Sequence, residues 1–509
     1  MKLEYERVEK LPLLAWCAEI KKGSAECKVI HGPWVETRGD FFVEGAWDGS
    51  FDEGAIDQAC LLMGSGARIV EGNVVFATPC HVLERLFIIK DASGVVISPS
   101  LAFLLTRTGE ALDIQHIPYQ VDLLRRVLCL KNHVGSIPLA GKKELLVVHY
   151  RNISFDQELN LHIQDKPVTP PFQDFRHYKG YLVSGLAAIF ANAKNPARSH
   201  LYRPIVTVSS GYDSNTCAAL ASEVGCMEGL TFTQARQLGE SDSGAQTGKF
   251  MGLKMKEFNR DDYKRKAGFP EAEFLATGDL GQDLLMTAFE NELSERILII
   301  GTHGDVVWDR LAKHVSQDII RKEMSACCLT DFKFRVGFVY VPPAFFGCIN
   351  HPSIHRISNS PEMAPWTLGN TYDRPIPRRI VEERGVPRHL FGQRKRQVTV
   401  LLNTVEKIRQ GLKPESLASF LQFYQENKSK RPLLRQIRFE TLFLVSLGWS
   451  FLTSKVHGLT SRFGKPVRLP FPIPLKYREN PGMPSFLVHW ALRIVQERYA
   501  IENITSTRQ

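Results

Sequence analysis

Apolar and polar positions alternate differently in three parts of the chain. Up to about residue 165, short β-branched and aliphatic runs at residues 74–78, 86–89, 95–98 and 145–149 are separated by Gly and Asp. Runs of that length between turn formers read as strands. Two helices interrupt them, a short one from residue 100 to 105 and a longer one from 118 to 130. Strands with segregated helices predict an α+β sandwich-like domain over residues 1–170, ending in the Pro-rich linker 167–171.

The pattern then alternates. Helix-period segments at 175–192, 243–251 and 283–293 fall between strand-like runs at 205–208, 230–233, 256–258 and 296–300. Strand and helix in alternation predict an α/β unit over 171–400 with a parallel sheet, whose ligand sits at the carboxyl ends of the strands. The loops after Val208, Phe232 and Ile300 are therefore expected to converge. Residues 401–509 read as a helical region, with helices at 398–410, 414–426, 434–455 and 484–499. Its most apolar stretch, 442–452, is too short to cross a bilayer and is expected to be a buried core helix.

Composition narrows the class. Hydrophobic content of 44% and charged content of 23% are ordinary globular values. The net charge of +10 is concentrated between Arg388 and Arg478, where Lys and Arg outnumber Asp and Glu by more than three to one. A basic face that binds anionic lipid or RNA is one use for that charge; a solvated surface is the plainer one. The ten cysteines form no Cys-x-x-Cys pair and no zinc spacing, and residues such as Cys60 and Cys217 lie among apolar neighbours. The chain opens with mixed charge rather than an apolar signal region, so a cytoplasmic protein without a transmembrane segment is expected.

The stretch that organises the chemistry is Val206-Thr-Val-Ser-Ser-Gly-Tyr-Asp-Ser-Asn-Thr216. A buried strand leads into the small residues Ser209, Ser210 and Gly211, and Asp213 opens a helix rich in alanine. Free N–H groups and the positive end of the helix dipole make such a junction an anion site. The Gly-Lys-Ser/Thr ending of a kinase-type phosphate loop is missing. A second loop, Gly301-Thr-His-Gly-Asp305, follows the strand-like run 296–300. Asp213 and Asp305 at neighbouring strand ends would suit Mg²⁺, which takes one or two carboxylates and fills its shell with phosphate oxygens and water.

The first loop resembles the Ser-Gly-Gly-x-Asp-Ser pyrophosphate loop of the ATP pyrophosphatases that include asparagine synthetases, with Ser210 in place of the first glycine of that pair and Asn215 where a hydroxyl residue is usual. Gly301 to Asp305 resembles the family's Gly-Glu-Gly-Ser/Ala-Asp-Glu loop, and residues 386–396, containing Lys395 between Arg394 and Arg396, resemble its Arg-x-Lys segment. The resemblance implies an α/β PP-loop ATP pyrophosphatase domain (adenine nucleotide α-hydrolase-like). Ser209, Ser210, Gly211, Tyr212, Asp213 and Ser214 would cradle pyrophosphate, and Asp213 and Asp305 would hold Mg²⁺. Phe232, Thr233, Gly301 and Thr302 would border ATP, and Lys395 would stabilise charge on the departing phosphate.

More loosely, residues 1–165 resemble the family's N-terminal class II amidotransferase domain. The family's nucleophilic cysteine follows the initiator methionine, where this chain has Lys2, while Cys17 is internal. A degenerate domain without glutaminase activity, as in the β-lactam synthetase branch, is therefore expected. Thr302 and Val306 replace the two family glutamates, which leaves His303 as the candidate base for the second half-reaction. The implied activity is an AMP- and pyrophosphate-forming ligase that adenylates a small-molecule carboxylate and passes it to ammonia or an amine. The alternatives are a related enzyme acting on tRNA and a non-catalytic ATP-binding scaffold.

Overall fold

The computed structural model describes residues 1–500, apart from 126–127, 157, 235–240, 322–324, 394–398 and 463–473. The first part is built from two stacked sheets. Strands β1 (Lys2–Arg7), β2 (Trp16–Lys21), β3 (Glu26–His31), β4 (Glu36–Thr37), β5 (Phe41–Trp47), β6 (Leu62–Val70) and β7 (Asn73–Ala77) come first. They are followed by β8 (Leu86–Lys90), β9 (Gly94–Ser98), β10 (Val134–Pro138), β11 (Glu144–Val148), β12 (Asn152–Phe155) and β13 (Leu161–Gln164). One sheet runs β1-β3-β2-β9-β8-β11-β10 and the other β13-β12-β7-β6-β5-β4. Pairing is antiparallel throughout except between β1 and β3.

Alternation in these strands sends one set of side chains into the space between the sheets. Trp16, Ala18, Val29, Phe42, Phe76, Ile88, Ile97 and Ile153 meet there and exclude water. The opposite face of the first sheet presents Cys17, Ile30, Phe87, Ile89, Leu145 and Val147 to the helix Leu101–Thr108. That helix starts where the Ser100 hydroxyl accepts from the Phe103 N–H, a cap that satisfies one of its orphan donors. The same layer takes in residues from beyond position 400. Leu402, Ile408, Phe420, Phe423 and the helix Leu487–Gln496 all pack into it, so the end of the chain closes over the first sheet. Cys17 is fully buried in β2, and burial pushes its thiol well up, the opposite of what a nucleophilic thiolate needs.

The second half is α/β. Strands β14 (Arg203–Thr207), β15 (Glu228–Phe232), β16 (Lys254–Phe258), β17 (Arg296–Ile299) and β18 (Phe338–Val341) form one five-stranded sheet in the order β16-β15-β14-β17-β18. Every pairing in it is parallel. The chain therefore winds outward from β14 in one direction through β16, then returns to the other side of β14 for β17 and β18. The order reverses between β14 and β17, which is where such sheets place a ligand crevice at the carboxyl edge.

The two halves are joined by a buried ionic cluster. Lys333, on the helix Thr330–Val336, reaches Glu44 of β5 at 2.9 Å and also contacts Glu84; all three are almost fully buried. Glu44 also accepts from the Ser65 amide and hydroxyl at 2.9 and 2.8 Å. Burial pushes the Glu44 carboxyl up to about 7 even with Lys333 alongside.

Several sequence expectations are corrected. Residues 442–452 do not lie in a core: they belong to the helix Leu433–Arg462, and Leu444, Val445, Leu447, Phe451 and Leu452 are exposed. Residues 283–293 are not one helix but a 3₁₀ turn, Leu284–Phe289, followed by the single turn Glu290–Leu293. Among the described residues, the helix within 118–130 is Tyr119–Arg125, and the one within 398–410 begins only at Val405, after the Thr404 cap, and runs to Gly411. No described helix is long and apolar enough to cross a membrane.

Candidate functional site

Strand β14 ends at Thr207, and after Val208 the next six residues turn back on themselves. The Ser214 hydroxyl accepts from the Ser209 N–H at 2.9 Å and lies 2.7 Å from the Ser209 hydroxyl. The Gly211 N–H donates to that Ser209 hydroxyl at 3.2 Å. The Asn215 amide clamps the loop from below, donating to the Ser209 and Gly211 carbonyls at 2.6 and 2.7 Å. Asn215, where the resembling family has a hydroxyl residue, thus acts as a fully buried staple. The helix Tyr212–Glu223 begins here, and no side chain of its N-cap residue, Gly211, caps it.

The loop after β17 packs directly onto this junction. A Cβ on residue 301 would lie 2.5 Å from the Ser214 amide nitrogen, so only glycine lets the two loops meet. Asp305 follows in the short turn Gly304–Val307. His303, just before it, has a left-handed backbone at φ 76°, a conformation that costs energy for a residue with a Cβ. Its ring is buried and lies flat against Phe345, with centroids 4.4 Å apart.

Between these loops and the end of β15 is a cavity of about 320 Å³. Of the residues singled out in the sequence, Ser209, Gly211, Asp213, Ser214, Phe232, Gly301, Thr302, His303 and Asp305 all line it. Three others face elsewhere. The Ser210 hydroxyl donates to Asp242, and the Thr233 amide and hydroxyl turn to the Phe258 carbonyl of β16 at 3.0 and 3.4 Å. Tyr212 is buried beneath Arg378, its hydroxyl accepting from that guanidinium. These three shape the loop rather than the cavity surface.

Lys395 lies outside the described residues, but its flanks do not. The Gly392 N–H donates to the Ser210 carbonyl at 2.9 Å, and Thr399 lines the cavity. Gly392 must be glycine there, because a Cβ would fall 2.4 Å from the Tyr212 ring.

The segment 371–380, which leads into the Lys395 segment in sequence, supplies Tyr372 to the cavity wall and Arg374 behind it. Arg374 is almost fully buried at the start of the helix Pro375–Glu383 and donates to Asp213 Oδ1 at 2.5 Å. The charges of Asp213 and, less strongly, Asp305 hold its guanidinium above the ordinary range against the cost of burial. Arg374 also lies over the Tyr372 ring at 5.0 Å. Burial pushes the Tyr372 hydroxyl up to about 12. The cavity's polar side is thus the N-terminus of the helix Tyr212–Glu223 with Asp213 and Asp305, the fixed cation Arg374 behind Asp213, and two further carboxylates, Asp242 and Asp283, in the wall. Its other side is apolar: Leu230, Phe232, Leu285, Met286, Phe289 and Leu329, with Phe232 stacked on Phe289 at 4.4 Å.

At one wall stands Asp283, whose two oxygens accept from the Ala326 and Cys328 amides. Its neighbour Asp279 accepts from the Leu280 and Asp283 amides at 2.7 and 3.2 Å. Burial raises both carboxyls, Asp279 to about 6, and Asp283 is raised further by the charge of Asp279. Ligand atoms of Asp279, Asp283 and Cys328 lie within 4.8 Å of one another, but the backbone donors already account for the carboxylates as ties between two loops.

Two carboxylates on adjacent loops, with hydroxyls beside them, are an oxygen donor set suited to Mg²⁺ when an anionic ligand supplies the rest of the shell. Arg374 leaves that set with less negative charge than two free aspartates would carry. The chain matches no protein-family model and no curated protein.

Proposed function

We propose that this cavity binds ATP with Mg²⁺ and that the protein is an AMP- and pyrophosphate-forming ligase that adenylates a carboxylate and transfers the acyl group to ammonia or an amine. One observation carries this: the loops after β14 and β17, distant in sequence, meet through Gly301 at the reversal point of a parallel sheet and line one cavity with two carboxylates. A volume of about 320 Å³ lies at the lower end of the range for small-molecule sites.

In this scheme the N-terminus of the helix Tyr212–Glu223 and the Ser209 and Ser214 hydroxyls face the β- and γ-phosphates, and the adenine lies toward Phe232. Asp213 and Asp305 would hold Mg²⁺, whose chemistry is to offset the phosphate charge. A carboxylate oxygen of the substrate attacks the α-phosphorus; the bond to the bridging oxygen breaks, and pyrophosphate leaves. Arg374 holds Asp213 in place, and Lys395 is assigned to the charge that develops on the leaving group. The amine nitrogen then attacks the acyl carbon, the bond to AMP breaks, and the amine proton passes to a base. His303, fixed against Phe345 on the cavity wall, is the residue assigned as that base. Cys17 is fully buried, and this scheme takes its nitrogen from ammonia or an amine in solution.

The test is exchange of labelled pyrophosphate into ATP by the full chain over a panel of small carboxylic acids. Exchange dependent on one acid, on Mg²⁺ and on Asp305 supports the proposal. ATP binding without exchange for any acid would favour a non-catalytic scaffold, and no ATP binding would end both.

A further inference from the structure

The helix Leu433–Arg462 carries an apolar face that the rest of the described chain leaves uncovered. It is about 45 Å long at 1.5 Å per residue. Its packed side is fixed near its start, where Phe439 is buried against Tyr477 and Ile117. Further along, Ser446 continues that buried side. The opposite side is exposed and apolar: Leu434 is 83% exposed, Leu444 65% and Phe451 66%, with Ile437, Val445, Leu452 and Leu459 along the same stripe. Spacings of three, four and seven residues put these on one face. A contiguous apolar stripe this long is uncommon on a surface that meets only water.

The charges nearby say what covers it. Arg435 and Arg438, near the start of the helix, join Lys476 in lining an open cavity of about 560 Å³, with Tyr477 and Phe439 as its apolar wall. The acid in that lining, Asp122, is already paired with His116 at 2.7 Å. Lys455 stands on the apolar stripe over the Phe451 ring. A second copy of the same face would bring these cations together, which opposes self-association. Anionic headgroups complement them, and acyl chains complement the leucines.

We propose that this helix lies in the plane of an anionic membrane surface, its leucine–phenylalanine stripe at the headgroup–acyl boundary and Arg435, Arg438 and Lys476 cradling lipid phosphates. The helix is not apolar enough to span the bilayer, so the attachment is peripheral and reversible.

Flotation of the full chain with phosphatidylcholine vesicles, and with vesicles holding roughly a third phosphatidylglycerol, tests this. Binding is expected only to the anionic vesicles and should weaken with salt. Arg435→Gln with Arg438→Gln should lower partitioning roughly tenfold or more, since each basic residue near the surface matters by about fivefold. Leu444→Glu with Phe451→Glu should abolish binding while leaving the far-ultraviolet circular dichroism intact. As a second readout, Phe451→Trp should give an emission blue shift on anionic vesicles alone. No flotation, flotation indifferent to these changes, or a dimer in sedimentation that Leu444→Glu dissolves would each overturn the proposal.

Discussion

Two ionic clusters among the described residues, one around Lys333 and one around Arg374, pair a buried cation with carboxylates to different ends. At the junction of the halves, Lys333 is enclosed between Glu44 and Glu84, and side chains of β5, β6 and the helix Thr330–Val336 shut out solvent. At the carboxyl edge of the parallel sheet, Arg374 pairs with Asp213 in the wall of an open cavity. The chemistry is alike, but the space beside it is not. A sealed cluster has no role beyond holding two elements in register. A cluster in the wall of an open cavity is placed to meet a ligand.

The largest effect should come from breaking the sealed cluster. Lys333→Leu leaves two buried carboxylates without their cation and should lower unfolding free energy by about 3–5 kcal/mol in urea titrations. Nucleotide affinity of the protein that remains folded should stay unchanged. The open cluster should respond the other way round. Asp305→Asn should reduce pyrophosphate exchange on the order of 100-fold, while unfolding free energy moves by less than about 1 kcal/mol. If Asp305→Asn unfolds the protein as Lys333→Leu does, the distinction between the clusters fails.

The smallest effect is a pH slope. Folded Glu44 keeps its proton to about pH 7, whereas the unfolded chain releases it near 4.5. Between those values the folded state binds more protons, so this residue makes stability fall as pH rises. Glu44→Gln should remove that part of the decline, seen by comparing urea midpoints at pH 5 and 7.5.

Much of the α/β half is legible in the sequence because β-branched runs and glycine-marked loops are local signals. β14, β15, β16 and β17 lie within two residues of the runs that predict them. β18, Phe338–Val341, was missed: four residues that follow directly on a helix carry no period of their own. The 283–293 segment misled because Asp283 bonds backbone amides of residues 326 and 328 instead of serving a helix. Residues 442–452 misled for another reason. Apolar composition says that a segment seeks cover, not that its own chain supplies it.

The site divides similarly. Its loops could be found from small residues after a strand, and the segment 371–380 from its place before the Lys395 run, whereas the contacts of Arg374 with Asp213 and of Asp242 with Ser210 depend on tertiary packing that no local pattern encodes.

Hydrogen exchange read by mass spectrometry, with and without Mg²⁺ and a non-hydrolysable ATP analogue, tests the central claim most directly. The account expects slowed exchange in residues 209–214 and 301–305 together, with β5 and β6 unchanged. Protection of one loop without the other, or of neither, would contradict it.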